Sequence, residues 1–153
     1  MSVKILLVED DPDIIEIIHE ELTHTVKGCR VDCIQCARTA LSMLDNSDYD
    51  IVISDMGLKD KWVCGKDVLE KANTKGCFTV LFSGLGHYPG LHLDYNLKKP
   101  FHGNELNDMI SVFKEGAWMG KVKESTGFVH KVTSKYIIRR RKACDPSTRI
   151  RSC

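Results

Sequence analysis

The stretch that decides the fold lies near the amino-terminal end, where residues 4–22 read KILLVEDDPDIIEIIHEEL. Residues 4–8 form an apolar run that is too short for a helix and is followed at once by acids, which is typical of a strand buried on both faces. Asp11 and Pro12 then supply a helix N-cap and a first-turn proline, and isoleucines recur at helical spacing as far as about His24. The segment predicts a strand followed directly by a helix.

The same alternation continues along the chain. Further strands are predicted over 30–34, 50–54, 78–82 and 95–98, and further helices over 37–46, from about 65, and from 106 to near 116. Glycines and a proline crowd the connection between the fourth and fifth strands, so a helix there is expected to be short or missing. Alternation of this kind predicts an α/β fold with a parallel five-stranded sheet and helices on both faces.

Charge divides the chain of 153 residues unevenly. Residues 1–116 carry 12 Lys and Arg against 19 Asp and Glu, a net of −7, whereas residues 117–153 carry 10 against 2, a net of +8. We expect a folded domain over 1–116 and a basic C-terminal extension over 117–153 that is partly disordered and has no recognised effector domain. Nucleic-acid binding by its RRRK run at 139–142 is the less favoured interpretation.

Hydropathy and cysteine content predict a cytoplasmic protein that does not enter a membrane. No apolar run approaches the roughly 18–20 residues that cross a bilayer, and the first run meets acids too soon for a signal peptide. The odd number of cysteines, 7, agrees with reduced thiols. Cys29, Cys33 and Cys36 have a spacing known from iron–sulfur clusters, but Cys36 is expected to face away from the other two, which favours ordinary thiols.

Five polar side chains follow the carboxyl ends of the predicted strands. Glu9 and Asp10 follow the first strand, Asp55 the third, Ser83 the fourth and Lys99 the fifth. Because these ends meet at one edge of a parallel sheet, one cleft can hold all five side chains. Carboxylates that lie together need a cation between them, and their oxygens suit Mg²⁺. With a hydroxyl and a lysine to complement phosphate oxygens, the set indicates phosphoryl transfer.

Four motifs give this pattern a family resemblance, namely LLVEDD at 6–11, YDIVISD at 49–55, VLFSG at 80–84 and KPF at 99–101. In order and spacing they resemble the receiver domain of two-component response regulators over residues 3–116. The resemblance implies a flavodoxin-like, doubly wound (βα)5 fold. It also implies a phosphorelay signalling protein, limited to its own phosphorylation and dephosphorylation, rather than an enzyme.

The resemblance assigns roles to the acidic residues. Asp55 is the phosphoacceptor, which attacks a phosphohistidine of a sensor histidine kinase or phosphotransfer protein, or a small phosphodonor. Glu9, Asp10 and Asp55 hold Mg²⁺ together with the backbone carbonyl of Gly57. Phosphorylation would switch the binding of a downstream protein whose identity the sequence leaves open.

The other two site residues complete the implied mechanism. Ser83 is the switch hydroxyl that moves onto the phosphoryl group. Lys99 pairs with that group, and the bond from Lys99 to Pro100 is cis in the family.

The chain departs from the family pattern at two places. Where the family has a proline four residues after the acceptor and a glycine eight after it, this chain has Lys59 and, ten residues on, Gly65. The longer loop either modulates access to the cleft or is merely exposed, with Trp62 folded back on apolar surface. Where the family has an aromatic switch residue on the fifth strand, this chain has Asn96, with Tyr95 one place earlier.

Three alternatives stay open at this point. The chain is either a working receiver, a pseudo-receiver that serves only as an interaction module, or a regulator whose basic tail binds nucleic acid. A phosphohydrolase with an aspartyl-phosphate intermediate is disfavoured, because the expected second acid is replaced by Gly57.

Overall fold

The computed structural model describes residues 2–84 and 88–118, which fold around one five-stranded sheet. The strands are β1 Lys4–Val8, β2 Arg30–Ile34, β3 Ile51–Asp55, β4 Phe78–Ser83 and β5 Tyr95–Lys98. The helices described are α1 Pro12–Thr25, α2 Ala37–Asn46, α3 Gly65–Lys75 and α4 Gly103–Trp118. All neighbouring strands pair in parallel, in the order β2-β1-β3-β4-β5.

This architecture confirms the flavodoxin-like fold that the sequence predicts. Two strands extend one residue beyond the predicted ends, so that Asp55 and Ser83 are the last residues of β3 and β4. The described part of the β4–β5 connection, residues 84 and 88–94, contains no helix, as expected. Residues 119–153, most of the predicted basic extension, lie outside the described residues. None of the helices described has both the length and the apolar character to cross a membrane.

Helix α1 begins where the sequence predicts, because local hydrogen bonding fixes its first turn. Asp11 has extended backbone, and its side-chain Oδ1 accepts a hydrogen bond from the backbone N–H of Asp13 at 3.0 Å. Pro12 follows as the first helical residue, where its missing N–H costs nothing. This start places the loop of residues 9–11 directly above the end of β1.

The core has two layers, one on each face of the sheet. Successive residues of β1 point to opposite faces: Ile5 and Leu7 pack against α1 and α4, whereas Leu6 and Val8 pack against α2 and α3. All four side chains are fully buried. The sheet is therefore held rigidly from both sides, and the carboxyl ends of its strands form a fixed edge that can position functional groups.

Candidate functional site

Three acids gather at this edge, where the strand order reverses between β1 and β3. Glu9 and Asp10 follow β1, and Asp55 ends the neighbouring β3, whose Ser54 lies opposite Val8 in the parallel register. One carboxylate oxygen from each acid lies within 4.8 Å of the others. Glu9 is 1% exposed and Asp55 is 8% exposed. Within the described ranges, these are the only three potential metal-ligating side chains that come so close together.

Lys99 supplies positive charge to this cluster. It follows β5, where its backbone N–H donates to the carbonyl of Ser83 at 3.1 Å. Its Nζ donates to Glu9 Oε2 at 2.6 Å and lies 3.2 Å from Asp55 Oδ1. The ammonium also lies 4.5 Å from the ring centroid of Phe82. The lysine therefore joins a buried acid to the predicted phosphoacceptor.

Burial and pairing shift the pKa values of this ion pair. Burial raises the pKa of the Glu9 carboxyl, and the hydrogen bonds from Lys99 and from the backbone of Asp11 offset only part of that shift. Burial alone would lower the pKa of Lys99, but its hydrogen bond to Glu9 and the nearby charge of Asp55 outweigh burial and raise it. The lysine is therefore held in its charged form.

The acidic cluster fits Mg²⁺. Asp10 Oδ2 is buried and has no hydrogen-bond partner among the residues the structure describes, although Lys59 Nζ lies 3.7 Å away. A buried carboxylate oxygen without such a partner is costly, and a hard cation would satisfy it. Gly57 lies beside Asp55, since a Cβ built at Gly57 would lie 3.6 Å from Asp55 Oδ2. The structure thus brings together all four residues that the sequence predicts as metal ligands.

Ser83 contacts an aromatic residue that the sequence analysis missed. Its Oγ lies 3.3 Å from the hydroxyl oxygen of Tyr88, in the β4–β5 connection. Tyr95, the aromatic residue nearest to the expected switch position, instead donates its hydroxyl to the carbonyl of Glu105 on α4 at 3.4 Å. Tyr88 lies in a segment without periodicity, so only the folded chain reveals its contact with Ser83.

The longer loop after β3 is organised by Asp60. Its Oδ1 accepts hydrogen bonds from the backbone N–H groups of Trp62, at 3.0 Å, and Val63, at 3.4 Å. Trp62 is 77% exposed, so the alternative in which its ring folds back on apolar surface is wrong. Instead, the Nζ of Lys61 lies 5.4 Å from the centre of the ring. Lys59, in this loop, lies beside Asp10 of the acidic cluster.

Gly65 ends this loop and begins α3. A Cβ built at Gly65 would lie 1.8 Å from the backbone oxygen of Asp55, so only a residue without a side chain allows this approach. Gly65 therefore packs α3 directly against the end of β3.

The cysteines do not form a metal site in the described part of the chain. Cys29 and Cys33 are half-buried beside the core, whereas Cys36 is exposed at the N-cap of α2. Burial raises the pKa of both the Cys29 and the Cys33 thiols. These positions agree with ordinary thiols.

Comparison with known proteins finds a family model and a curated relative that match this chain. The family model of the response regulator receiver domain matches residues 5–111. The transcriptional regulatory protein TcrA of Mycobacterium tuberculosis is 32% identical over 115 residues, which cover 69% of this chain and 43% of TcrA. The chain thus matches less than half the length of that curated relative.

Solved structures share the fold. The signal receiver domain of an HD domain-containing protein from Pseudomonas fluorescens Pf-5 has a TM-score of 0.66 at 20% identity, covering 75% of this chain and 96% of its own. The response regulator TrrA of Thermotoga maritima, in complex with Mg²⁺-BeF, has a TM-score of 0.62 at 26% identity, covering 72% and 98%. The receiver domain of sensor histidine kinase PA1611 from Pseudomonas aeruginosa PAO1, with a magnesium ion in its active site cleft, has a TM-score of 0.64 at 19% identity, covering 74% and 99%.

These findings agree on the fold. The receiver family binds Mg²⁺ in an acidic pocket, and this chain has an acidic cluster of Glu9, Asp10 and Asp55. Receiver domains are the signalling domains of two-component systems and interact with histidine kinases or phosphotransfer proteins. The chain belongs to the response regulator receiver domain family.

Proposed function

We propose that this domain accepts a phosphoryl group on Asp55 in a Mg²⁺-dependent reaction and thereby switches the binding of a partner protein. The donor is a phosphohistidine of a sensor histidine kinase or phosphotransfer protein, or a small acyl phosphate. A carboxylate oxygen of Asp55 forms a bond to phosphorus while the bond from phosphorus to the imidazole nitrogen breaks, and the imidazole takes up a proton from solvent. The product is an acyl phosphate that water later hydrolyses, so the chain is a phosphoacceptor rather than an enzyme acting on a separate substrate.

The acids at the strand ends would hold the metal ion. Glu9, Asp10 and Asp55 would provide carboxylate oxygens, and Gly57 would provide its backbone carbonyl. When bound, the ion supplies positive charge that offsets charge on the phosphoryl oxygens. The close approach of the three carboxylates, within 4.8 Å, and the buried Asp10 Oδ2 support this assignment.

The observation that carries the proposal is the position of Lys99. Its Nζ lies 3.2 Å from Asp55 Oδ1 while it donates to the buried Glu9 carboxylate, which orients the acceptor before any donor arrives. After transfer, the same ammonium would pair with the new phosphoryl oxygens. Lys99 and Asp55 are held in this way at the ends of β5 and β3 of one rigid sheet. Their fixed positions favour formation of the charged adduct at this one place.

A movement of Ser83 would transmit the phosphorylation of Asp55 to the rest of the domain. To donate its hydroxyl proton to a phosphoryl oxygen, the side chain would exchange the 3.3 Å contact with Tyr88 for one with the phosphoryl group. This exchange would change the surroundings of Tyr88, and with them the surface formed by the β4–β5 connection. The partner that recognises that surface would be a protein.

The proposal is tested by intact mass spectrometry of the full chain after incubation with acetyl phosphate and Mg²⁺. We expect one phosphoryl adduct in the native chain and in Asp48→Asn, a matched control in which the carboxylate is 92% exposed. We expect no adduct in Asp55→Asn or when EDTA is present. An adduct that persists in Asp55→Asn, or that forms without metal, would contradict the proposal. The absence of both an adduct and Mg²⁺ binding would favour an interaction module that keeps only the fold.

A further inference from the structure

We propose that Lys59 competes with Mg²⁺ for Asp10 and thereby sets the affinity of the site for the metal. Lys59 Nζ lies 3.7 Å from Asp10 Oδ2, on the loop that follows the phosphoacceptor. The proposal rests on the function proposed above, because it assigns a regulator to the same metal site. In this proposal Lys59 is a positioning residue that acts through Asp10 and takes no part in the phosphoryl transfer itself.

The contact between Lys59 and Asp10 is an attraction of charges without a hydrogen bond. A separation of 3.7 Å is too long for a hydrogen bond. Asp10 Oδ2 therefore remains without a hydrogen-bond donor among the described residues, despite the nearby lysine. The Lys59 side chain is 88% exposed, whereas that of Asp10 is 16% exposed. The lysine is therefore free to swing into solvent, while the carboxylate stays where a metal ion would meet it.

The charge of the cluster explains why the two cations exclude each other. Three carboxylates face one half-buried lysine, Lys99, so the metal-free cluster has an excess of negative charge. The ammonium of Lys59 neutralises part of that excess. A divalent cation held by Asp10 would repel the ammonium, which would then leave the acid. Each metal-binding event therefore has to displace one exposed ion pair.

The neighbouring lysine provides a matched control. Lys61 is exposed in the same loop and has the same charge, but its Nζ lies over the ring of Trp62 at 5.4 Å. Replacing either lysine with methionine removes the ammonium and its charge and keeps the rest of the unbranched side chain. A general electrostatic effect would change both variants alike, whereas competition for Asp10 would change only Lys59→Met.

The test is isothermal titration calorimetry of the full chain with MgCl₂, before any phosphodonor is added. For Lys59→Met we expect the Kd for Mg²⁺ to fall about 2- to 5-fold, the range of an exposed ion pair, and for Lys61→Met we expect a value near the native one. Lys59→Arg, which keeps the cation, should bind Mg²⁺ nearly as the native chain does. In about 1 M NaCl, where the Debye length is about 3 Å, the difference between the native chain and Lys59→Met should shrink.

The possible failures are distinguishable. Equal Mg²⁺ affinity in the native chain and Lys59→Met, or equal tightening in Lys61→Met, would overturn the role of Lys59 and leave the metal site intact. If no variant binds Mg²⁺, the proposed metal site fails and the competition fails with it. Binding by Lys59→Met alone would support the proposal in its strongest form, in which the lysine blocks the site.

Discussion

Replacement of Gly65 by alanine should push α3 away from β3, the strand that ends at Asp55. The added Cβ would lie 1.8 Å from the backbone oxygen of Asp55, whereas carbon and oxygen normally stay about 3.3 Å apart. The start of α3 or the end of β3 must therefore move by about 1.5 Å. Such overpacking costs about 1–3 kcal/mol, which exceeds the gain of about 1 kcal/mol that alanine brings to a helix over glycine. We expect a net loss of up to about 2 kcal/mol in the free energy of unfolding.

Urea unfolding followed by circular dichroism measures this loss, and Gly103→Ala provides the matched control. Gly103 also begins a helix, but a Cβ there would lie 3.7 Å from Glu21 Oε2, an ordinary contact. This variant should be as stable as the native chain, or more stable by up to about 1 kcal/mol. Gly65→Ala should also accept phosphate from acetyl phosphate more slowly, because Asp55 is displaced. Native stability and a native phosphorylation rate in Gly65→Ala would refute the close packing of α3 on Asp55.

Two further predictions concern buried polar groups. Burial and the 2.9 Å hydrogen bond to Asp32 raise the pKa of Tyr49 from 10 to about 12, so the stability that its hydroxyl contributes is present below about pH 10 and is lost as the pH rises through about 12. Urea unfolding at several pH values should show the advantage of the native chain over Tyr49→Phe shrinking across this range, and a pH-independent difference would contradict the assignment. Lys99→Met should leave the buried Glu9 carboxylate without its cationic partner at Oε2 and lower the unfolding free energy by about 1–3 kcal/mol, as measured by urea unfolding at neutral pH. Native stability in Lys99→Met would show that the ion pair is not needed to keep Glu9 buried.

Local patterns were sufficient to predict the sheet and its helices. Short apolar runs bounded by acids or glycines mark strands that are buried on both faces, and Asp11 with Pro12 fixes the start of α1 through contacts within one turn. The proximity of Glu9, Asp10 and Asp55, the proposed metal ligands, was also predictable, because the carboxyl ends of parallel strands must meet at one edge.

The remaining features depend on contacts between segments that have no periodic pattern. Tyr88, in the irregular β4–β5 connection, contacts Ser83. Lys59, in the loop after β3, lies close to Asp10, which follows β1. The role of Gly65 could not be predicted either, because a Cβ at this position would clash with the backbone of Asp55, ten positions earlier. Such contacts depend on the path of the loops in the folded chain, and that path cannot be predicted from the individual loop residues.

The central claim, that Asp55 is the phosphoacceptor, is tested most directly by locating the phosphoryl group. Acyl phosphates are reduced by borohydride, which converts a phosphorylated aspartate into homoserine. After treatment with acetyl phosphate and Mg²⁺, we expect tandem mass spectrometry to find homoserine at position 55 and nowhere else in the chain. Homoserine at position 10, or at any other aspartate while position 55 stays intact, would contradict the account.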